Sequence, residues 1–492
     1  MPTEIEQKFS LAEGRRITAL GEGLALGERR SFQLVATYFD TPALTLARHK
    51  ITLRRRTGGK DAGWHLKLPG DGRAREEVQV PLVAGQSRLL VPAELRERIA
   101  EVVGFEPLLP VVELRTRRSE TDITTPRGRK LAELCDDRVR ATRRGTSRSW
   151  RELEVELAGG DEADLARIAE ALLAAGAEPK DSPSKLAEAL GEEVREPEPL
   201  GAGASAADVV MAYVAEQVGM ILGREAGARV DAPDAVHKMR VATRRLRSTL
   251  RTFRPILDAE RTEPLRAEVK WLSERLGGPR DAEVIKAHLL GVVGELPAAE
   301  VVGPVRERVA HELDQRHQET LRELEVALDS TRYRRLGDQL VGLLTDPPVL
   351  ESADRKAAKV LDPLLAKAVR RVTRRWDEAM VLEDELEREL VVHEARKKAK
   401  AARYAWEAVA PVYEGGKQAA VAWEQVTEVL GAAQDTVVVR ERLDELAALA
   451  HAAGESAFTY GILWERERET EGAAQHEAAA AIKAAVKASR RA

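Results

Sequence analysis

The chain has 492 residues, far more than a usual single domain, so two or three separate cores are expected. Its 78 basic and 82 acidic residues nearly cancel to a formal net charge of -4, so the placement of charge is more informative than the total. The single cysteine, Cys135, excludes an intrachain disulfide and fits a reducing compartment. No signal peptide and no run of about 18 apolar residues is evident, so we expect a cytoplasmic protein without a membrane span.

The first segment with a chemical pattern is Glu4-Ile-Glu6-Gln-Lys8, which is typical of a short strand. Side chains alternate faces along a strand, so Glu4, Glu6 and Lys8 point the same way. Two adjacent carboxylates are what a hard divalent cation needs, and a nearby lysine can meet a phosphate carried by that cation. The alternative for this motif alone is a solvated strand face.

Later strands repeat the alternation of an apolar row with a charged row. The charged rows are Arg54 and Arg56; His65 and Lys67; Arg75, Glu77 and Gln79; Glu113, Arg115 and Arg117; and Glu152, Glu154 and Glu156. This pattern is typical of an antiparallel sheet with one face turned to a core. A closed barrel with a charged lumen would satisfy all of the rows together, because it gathers acids for metal ions and bases for a polyanion in one channel.

These motifs resemble those of the CYTH domain of the triphosphate tunnel metalloenzymes. The shared motifs that follow the first strand are Tyr38-Phe-Asp-Thr41, Ile51-Thr-Leu-Arg-Arg-Arg56, Glu152-Leu-Glu-Val-Glu156 and Ser184-Lys-Leu186. The resemblance implies a triphosphate tunnel domain over residues 1–190, built as an antiparallel eight-stranded β-barrel.

Hydrolysis of a triphosphate requires neutralised phosphoryl charge, an in-line water and a means of activating that water. The carboxylates expected to hold one or two Mg²⁺ or Mn²⁺ ions are Glu4, Glu6, Glu152 and Glu154. The cations expected to bind the substrate oxygens are Arg54, Arg56, Lys67, Arg115 and Arg117, with Lys8 and Lys185 as catalytic residues at the scissile end. Glu133 and Asp136 face opposite ways in a regular strand, so at most one of them joins the metal site unless a bulge intervenes.

Residues 191–205 are rich in glycine, proline and acid without an apolar period, and we interpret them as a linker. Beyond the linker, stretches rich in alanine, leucine, glutamate and arginine recur at helical spacing. Prolines interrupt these stretches, for example Pro233, Pro279, Pro304, Pro347 and Pro363. The sequence therefore predicts an α+β protein whose second domain, residues 206–485, is all-helical.

The helical half contains an internal repeat. His237-Lys-Met-Arg240 is echoed by His393-Glu-Ala-Arg396, and the segment Leu276–Asp281 is echoed by Leu430–Asp435 at nearly the same offset. The repeat predicts two similar helical bundles, at about residues 206–345 and 355–485.

Helical spacing places the basic residues of each copy on one side of one helix. The first ridge comprises His237, Arg240, Arg244, Arg247 and Arg251, and the second comprises His393, Arg396, Lys397, Lys400 and Arg403. Like charges at these spacings destabilise an isolated helix, so the ridges indicate an anionic partner or facing acids. The alternative is a solvated surface paired with nearby glutamates.

The two His-x-x-Arg helices and the two Leu-Gly-x-x-x-Asp turns resemble the CHAD domain, a helical module often found behind a CYTH domain. The resemblance implies that the basic face binds inorganic polyphosphate, which rows of arginine and lysine neutralise phosphate by phosphate. Three roles are open to His237 and His393: donors to phosphate, metal ligands, or hydrogen-bonding groups between helices.

Three classes of function fit this sequence. The first is metal-dependent hydrolysis of inorganic triphosphate to pyrophosphate and phosphate, with polyphosphate binding by the helical domain. The second uses the same tunnel for a nucleoside or thiamine triphosphate or for adenylate cyclisation, although aromatic residues for base stacking are only 4% of the chain. The third is a polyphosphate-binding protein without turnover. Nucleic acid is a weaker ligand for the ridges, because no groove-reading motif accompanies the arginines.

Overall fold

In the computed structural model the chain folds as two compact units, Met1–Pro197 and Glu198–Ala492. The structure describes residues 5–69, 75–180, 184–191, 194, 196 and 198–492. The side chains of 75, 432–435 and 470–476 lie outside this description. The boundary between the units falls inside the segment that composition marks as a linker.

The N-terminal unit is built on one antiparallel sheet. Its strands are β1 (Glu6–Ser10), β2 (Ala25–Asp40), β3 (Thr52–Thr57), β4 (Gly63–Pro69), β5 (Arg75–Pro81), β6 (Leu109–Thr124), β7 (Lys130–Arg143), β8 (Thr146–Leu157) and β9 (Glu178–Pro179). Their order across the sheet is β5-β4-β3-β2-β6-β7-β8-β1-β9, and every neighbouring pair is antiparallel.

The sheet corrects the expected barrel in two respects. Within the described residues it has nine strands instead of eight, and no strand pairing joins the β5 edge to the β9 edge. The α+β class and the antiparallel arrangement are confirmed. Alternation along a strand fixes which face a side chain takes, but closure depends on the tilt and stagger of the strands, which the alternation does not reveal.

The sheet has two chemically different faces. We call the face that carries Arg54, Arg118 and Glu154 the site face, and the opposite one the outer face. In the described part of this unit the helices are α1 (Thr45–Arg48), α2 (Ala93–Arg98), α3 (Ala100–Val103), α4 (Glu162–Ala174) and α5 (Lys185–Leu190). Helices α2 and α3 cover the outer face at β3 and β4, and α4 covers it at β7 and β8.

Helix α5 packs on the site face. Its Leu186 and Leu190 join a buried cluster with Leu114 of β6 and Val139 of β7. Burying each of these side chains contributes about 1.5–3 kcal/mol. The packing holds the first residue of α5, Lys185, against the charged part of the same face.

The C-terminal unit is all-helical, as predicted. Its helices are α6 (Ala206–Gly223), α7 (Glu225–Arg229), α8 (Ala235–Thr252), α9 (Ala259–Arg275), α10 (Gly277–Glu295), α11 (Val305–Asp329), α12 (Thr331–Thr345), α13 (Ala357–Met380), α14 (Glu385–Val409), α15 (Gly416–Ala452) and α16 (Phe458–Ser489). Three short 3₁₀ segments lie at Arg254–Ile256, Ala298–Glu300 and Glu351–Asp354.

Local signals start several of these helices. Ser205 caps α6 through a capping box with Asp208, and the Asp384 side chain caps α14. Two of the prolines that were expected to interrupt helices do not do so. Pro279 is the third residue of α10, where its missing N–H needs no partner, and Pro363 lies inside α13.

The two copies of the repeat share one apolar core instead of forming separate bundles. This core joins side chains of α6, α8, α9 and α12 with those of α13, α14 and α15, and its largest fully buried members include Trp423, Tyr333 and Phe253. A smaller core links α10, α11, α15 and α16. Helix α6 is long and apolar enough to cross a membrane by length and composition alone, but half of it is buried within the unit, as in a core helix.

The repeated motifs occupy equivalent helices with one difference. The two ridges lie on α8 and α14. In the first copy Leu276 joins α9 to α10, whereas in the second copy Leu430–Asp435 is interior to the continuous helix α15. The second expected turn is therefore a stretch of helix, which the residue pattern alone did not distinguish.

Candidate functional site

Three acidic side chains converge on the site face where β7 and β8 run side by side. Asp137 lies opposite Glu152 in the strand register, and Glu154 is the next site-face residue of β8. Asp137 and Glu152 are almost fully buried, and one oxygen of each of the three carboxylates lies within 4.8 Å of the others. We call Asp137, Glu152 and Glu154 the acid trio. An all-oxygen donor set of this kind fits a hard divalent cation such as Mg²⁺ or Mn²⁺.

The ammonium of Lys185 lies among the three carboxylates of the acid trio. Its Nζ is 2.7 Å from Glu152 Oε1, 2.7 Å from Glu154 Oε1 and 3.1 Å from Asp137 Oδ2. The backbone positions this side chain, because Ser184 caps α5 by accepting a hydrogen bond from the Ala187 N–H. The acid trio thus already holds one cation, which belongs to the chain itself.

Further cations surround the acid trio. Lys180 lies 3.2 Å from Glu152, and Lys8 lies 3.5 Å from Glu154. Burial favours the neutral acids, but the charge of Lys185 and the other cations outweighs it and lowers the pKa of both Glu152 and Glu154. Burial likewise opposes a charged Lys185, yet the carboxylates raise its pKa. These three groups are therefore ionised at neutral pH.

Arginines from β3 and β6 extend the site on the other side of the acid trio. Arg118 donates two hydrogen bonds to Asp137, at 2.9 and 2.7 Å, and one to Glu154 at 2.9 Å. Burial, together with the charges of Arg54 and Arg118, lowers the pKa of Arg56 to about 10. Guanidinium groups that repel one another in this way are stabilised when an anion with several oxygens binds between them.

Lys67 belongs to a neighbouring group on β4 and β5. Glu77 is hydrogen-bonded to Nδ1 of His65 at 2.8 Å and forms an ion pair with Lys67 at 3.3 Å. Burial opposes ionisation of Glu77, but His65, Lys67 and Arg54 lower its pKa to about 2. Lys67 therefore lies on the site face with Arg54, and the ionised carboxylate of Glu77 partly neutralises the charge of Lys67.

The structure brings together most of the site residues expected from the sequence. Those on the site face are Glu6, Lys8, Arg54, Arg56, Lys67, Glu152, Glu154 and Lys185. Glu6 is the most exposed of these carboxylates and lies 3.4 Å from Lys8, opposite Glu156 in the register. Glu4 lies outside the described residues.

The structure places Arg115 and Arg117 elsewhere, which corrects their expected role in substrate binding. Both are exposed on the outer face, whereas Arg118 faces the acid trio. The site-face row of β6 includes Val112 and Leu114, which pack against α5, and becomes charged only at Arg118. The expectation that the charged row of a strand faces the site therefore selects the wrong face of β6.

Asp137 and Arg118 are site residues that the sequence analysis missed. Both follow from two-residue alternation, since Asp137 shares a face with Glu133 and Arg118 shares a face with Glu120. Of the two uncertain acids, Glu133 lies on the site face, close to Glu120 and Cys135. Asp136 lies on the outer face and pairs with Arg151 at 2.8 Å.

A second candidate site lies in the helical unit, where both basic ridges line one cavity of about 1800 Å³. We call it the basic cavity. The ridge residues in its wall are His237, Arg240, Arg244, Arg247 and Arg251 from α8 and His393, Arg396, Lys397 and Lys400 from α14. The ridges therefore face one shared space, a relation that the sequence left open.

Arg403 is the exception among the ridge residues. It pairs with Glu407 at 2.8 Å and with Glu424, so its charge is matched within the helical core. Other cations of the cavity wall also have acidic partners. Arg240 lies 2.7 Å from Asp281, Lys397 lies 2.8 Å from Glu394, and Arg280 lies 2.7 Å from Glu283.

Several cations of the basic cavity lie close enough to one another to lower each other's pKa. Burial and the charge of Arg266 lower the pKa of Arg247, and burial and the charge of Arg251 lower the pKa of Lys398. Burial and the charge of Arg280 lower the pKa of His237. All three shifts disfavour positive charge, so a bound anion would stabilise the protonated forms.

Two glycines of the repeat lie against the ridges. A Cβ on Gly431 would come within 3.2 Å of Arg396 Nη2, and a Cβ on Gly277 would lie 3.7 Å from Arg240 Nη2. The absence of a side chain at Gly431 therefore leaves room for the guanidinium group of Arg396, whereas a Cβ at Gly277 would make an ordinary van der Waals contact with Arg240.

The sequence matches the family model of the CYTH domain over residues 2–189 and that of the CHAD domain over residues 212–444. It is 36% identical to the uncharacterized protein Rv2226 of Mycobacterium tuberculosis, in an alignment covering 99% of this chain and 97% of that one. Similar solved structures include PptA from Streptomyces chartreusis, with 21% identity, a TM-score of 0.49 and coverage of 57% and 100% of the two chains. Another is the CHAD domain of the plant Ricinus communis, with 24% identity, a TM-score of 0.44 and coverage of 60% and 95%.

Proposed function

The chain belongs to the family of proteins in which a CYTH domain is followed by a CHAD domain, and we propose that its N-terminal unit hydrolyses inorganic triphosphate to pyrophosphate and phosphate. The CYTH domain is the triphosphate tunnel metalloenzyme domain. The observation that carries the proposal is the acid trio beside converging arginines, because a metal-bound triphosphate needs both on one face.

The residues divide into two groups by charge. Asp137, Glu152 and Glu154 would hold the divalent cation, with Glu6 at the exposed edge. When bound, Mg²⁺ or Mn²⁺ supplies neutralisation of phosphate charge. Arg54, Arg56 and Arg118 bind and orient the phosphate oxygens, a task that suits guanidinium forks.

The lysines lie at the acidic end of the site. Lys8 and Lys185 are the catalytic cations of the proposal, because both contact Glu154 and can reach an oxygen of the departing phosphate. Lys67 stays a proposed substrate ligand at the β4–β5 side. The chemistry is phosphoryl transfer to water, in which positioning and charge stabilisation supply most of the acceleration.

Phosphate release by the full chain tests the substrate. Tripolyphosphate, ATP, thiamine triphosphate and long-chain polyphosphate are compared with Mg²⁺ or Mn²⁺ and with EDTA. We expect tripolyphosphate to be cleaved fastest, and we expect EDTA to abolish release. Glu154→Gln should lower the rate by about a hundredfold or more. Glu113 lies partly exposed on the outer face, so Glu113→Gln should not change the rate. A preference for ATP of about tenfold, or formation of cyclic AMP, would replace this substrate assignment.

For the helical unit we propose that the basic cavity binds inorganic polyphosphate. The supporting observation is that both ridges line one cavity whose cations depress one another's pKa. A linear chain of phosphates would relieve that repulsion along its length. A cytoplasmic location and the absence of nucleic-acid and membrane partners stay predictions.

Equilibrium binding of long-chain polyphosphate tests the role of the basic cavity. The variant that carries glutamine at Arg240, Arg244, Arg396 and Lys400 should bind at least about tenfold more weakly. The matched control carries glutamine at the exposed residues Lys483, Lys487, Arg490 and Arg491 of the C-terminus and should bind as the native chain does. An equal loss of affinity in both variants would show that the loss follows the net charge of the chain and is not specific to the basic cavity.

A further inference from the structure

Four arginines on adjacent strands form an exposed patch on the outer face of the sheet. Arg115 lies opposite Arg140, and Arg117 lies opposite Arg138, in the β6–β7 register. All four side chains are exposed. We call these four residues the arginine patch, and we propose that it binds long-chain inorganic polyphosphate at a site separate from the acid trio and from the basic cavity.

The spacing of the arginine patch concentrates positive charge. Neighbouring strands lie about 4.8 Å apart, and same-face residues along one strand lie about 6.8 Å apart. Like charges directly opposite one another destabilise an antiparallel pair. Two such pairs side by side therefore oppose the folding of this part of the sheet, and a bound polyanion relieves the repulsion.

Acidic residues of the outer face leave most of this charge unneutralised. Glu113 lies 2.8 Å from Arg115 and matches one charge of the patch. Asp136 is held by Arg151 at 2.8 Å and by Arg29 at 3.1 Å, so its charge is already matched. The strand register therefore gives the patch more cations than acids. The exposed hydroxyl group of Ser147 lies beside it on β8, where it accepts a hydrogen bond from Arg140 at 3.4 Å.

The chemistry of the patch favours polyphosphate over nucleic acid. Its neighbours in the strand register include Gln33, Val35 and Ser149, none of which offers a ring on which a base can stack. Successive phosphates of polyphosphate share one bridging oxygen, whereas a sugar separates those of nucleic acids. Polyphosphate is therefore the linear anion whose charges are spaced most closely, and a compact group of four guanidinium groups suits it best.

A fluorescent probe beside the patch tests this inference in the full chain. Ser149→Cys provides an exposed thiol opposite Arg140, while the native Cys135 is buried, so an environment-sensitive dye labels position 149 selectively. Titration with long-chain polyphosphate should give a saturable signal. The added changes Arg138→Gln and Arg140→Gln should weaken the apparent affinity by about tenfold, and should reduce the slope of log K against log salt by about 1.4 for two lost contacts.

Two controls separate the patch from net charge and from the basic cavity. Arg127→Gln with Arg129→Gln removes two exposed charges from the β6–β7 turn and should leave the affinity unchanged. The signal should also persist when Arg240, Arg244, Arg396 and Lys400 are replaced by glutamine, so loss of cavity binding is distinguishable from loss of patch binding. Absence of a signal, an unchanged signal in the Arg138/Arg140 variant, or a stronger response to single-stranded DNA at equal phosphate concentration would overturn the inference.

Discussion

The Nζ atom of Lys185 lies 2.7 Å from Oε1 of Glu154, at the position among the acid trio that a divalent cation would take. A metal ion and an ammonium group that bind the same carboxylate oxygens repel each other, so each weakens the binding of the other. A metal ion that binds to the acid trio therefore competes with the ammonium group of Lys185. This relation leads to a prediction about metal affinity that does not depend on turnover.

Replacement of Lys185 by methionine should tighten the binding of Mn²⁺ to the substrate-free chain by about tenfold or more. The variant removes the competing cation and leaves the buried carboxylates without their main partner, a loss that costs about 3–5 kcal/mol in stability. Mn²⁺ should therefore raise the Tm of Lys185→Met more than that of the native chain. Titration calorimetry and thermal unfolding measure the two effects.

The control for this prediction is Lys185→Arg, which keeps the positive charge and should not gain Mn²⁺ affinity. The same experiment with Glu154→Gln added to Lys185→Met should lose the gain, because the acid trio is then incomplete. If Lys185→Met binds Mn²⁺ no better than the native chain, the acid trio is not the metal site.

A second prediction concerns Arg118, because this arginine contacts the acid trio and is also one of those proposed to bind phosphate oxygens. Arg118→Lys retains one charge but loses the forked hydrogen bonds to Asp137 and Glu154. We expect kcat/KM for tripolyphosphate to fall by about a hundredfold, mostly in kcat, because the fork stabilises charge that develops during transfer. Steady-state phosphate release measures this. Arg127→Lys in the exposed β6–β7 turn is the control. An equal loss of kcat/KM in this variant would show that the effect is not specific to Arg118.

The sequence was sufficient to predict which faces most of the charged strands present. Glu152 and Glu154 on β8, and Arg54 and Arg56 on β3, lie on the face that their alternation indicated. Alternation carries this information because each strand keeps a two-residue period whatever its neighbours do. It fails for β6, whose site-face row passes from apolar residues under α5 to charged residues at Arg118, since the packing of α5 is a tertiary contact.

The arrangement of the helical unit was harder to predict for a related reason. Spacing along α8 and α14 was sufficient to align His237 with Arg240 and His393 with Arg396, but it did not indicate that the two ridges face one cavity. That relation depends on how the helices pack in the shared core. The pairing of Arg403 was only partly visible in the sequence. Glu407 lies four residues further along α14, at a spacing that the sequence shows, whereas Glu424 comes from the packing of α15.

The third prediction concerns the glycine that the repeat keeps beside each ridge. Gly431→Val should weaken binding of polyphosphate to the basic cavity by about three- to tenfold without changing any charge, because the new side chain displaces the Arg396 guanidinium. Gly461→Val in α16 is the matched control, since its Cβ has open space around it and the change in helix propensity is the same. Equal effects of the two substitutions on affinity would assign the loss to helix stability.

The last prediction concerns pH. Burial and Arg280 lower the pKa of His237 in the free protein below its ordinary value of 6.5, so the imidazole is mostly neutral at pH 7. A polyanion in the basic cavity stabilises the imidazolium and raises that pKa, so binding takes up a proton. Affinity for polyphosphate should therefore rise as pH falls through the pKa of the complex, and should level off below the pKa of the free protein.

Isothermal titration between about pH 5 and 8, in buffers of different ionisation enthalpy, measures both the affinity and the proton uptake. His237→Gln should remove part of the dependence, whereas His451→Gln, an exposed histidine outside the cavity wall, should leave it intact. Identical pH profiles for the native chain and His237→Gln would exclude His237 as a group that senses the bound anion.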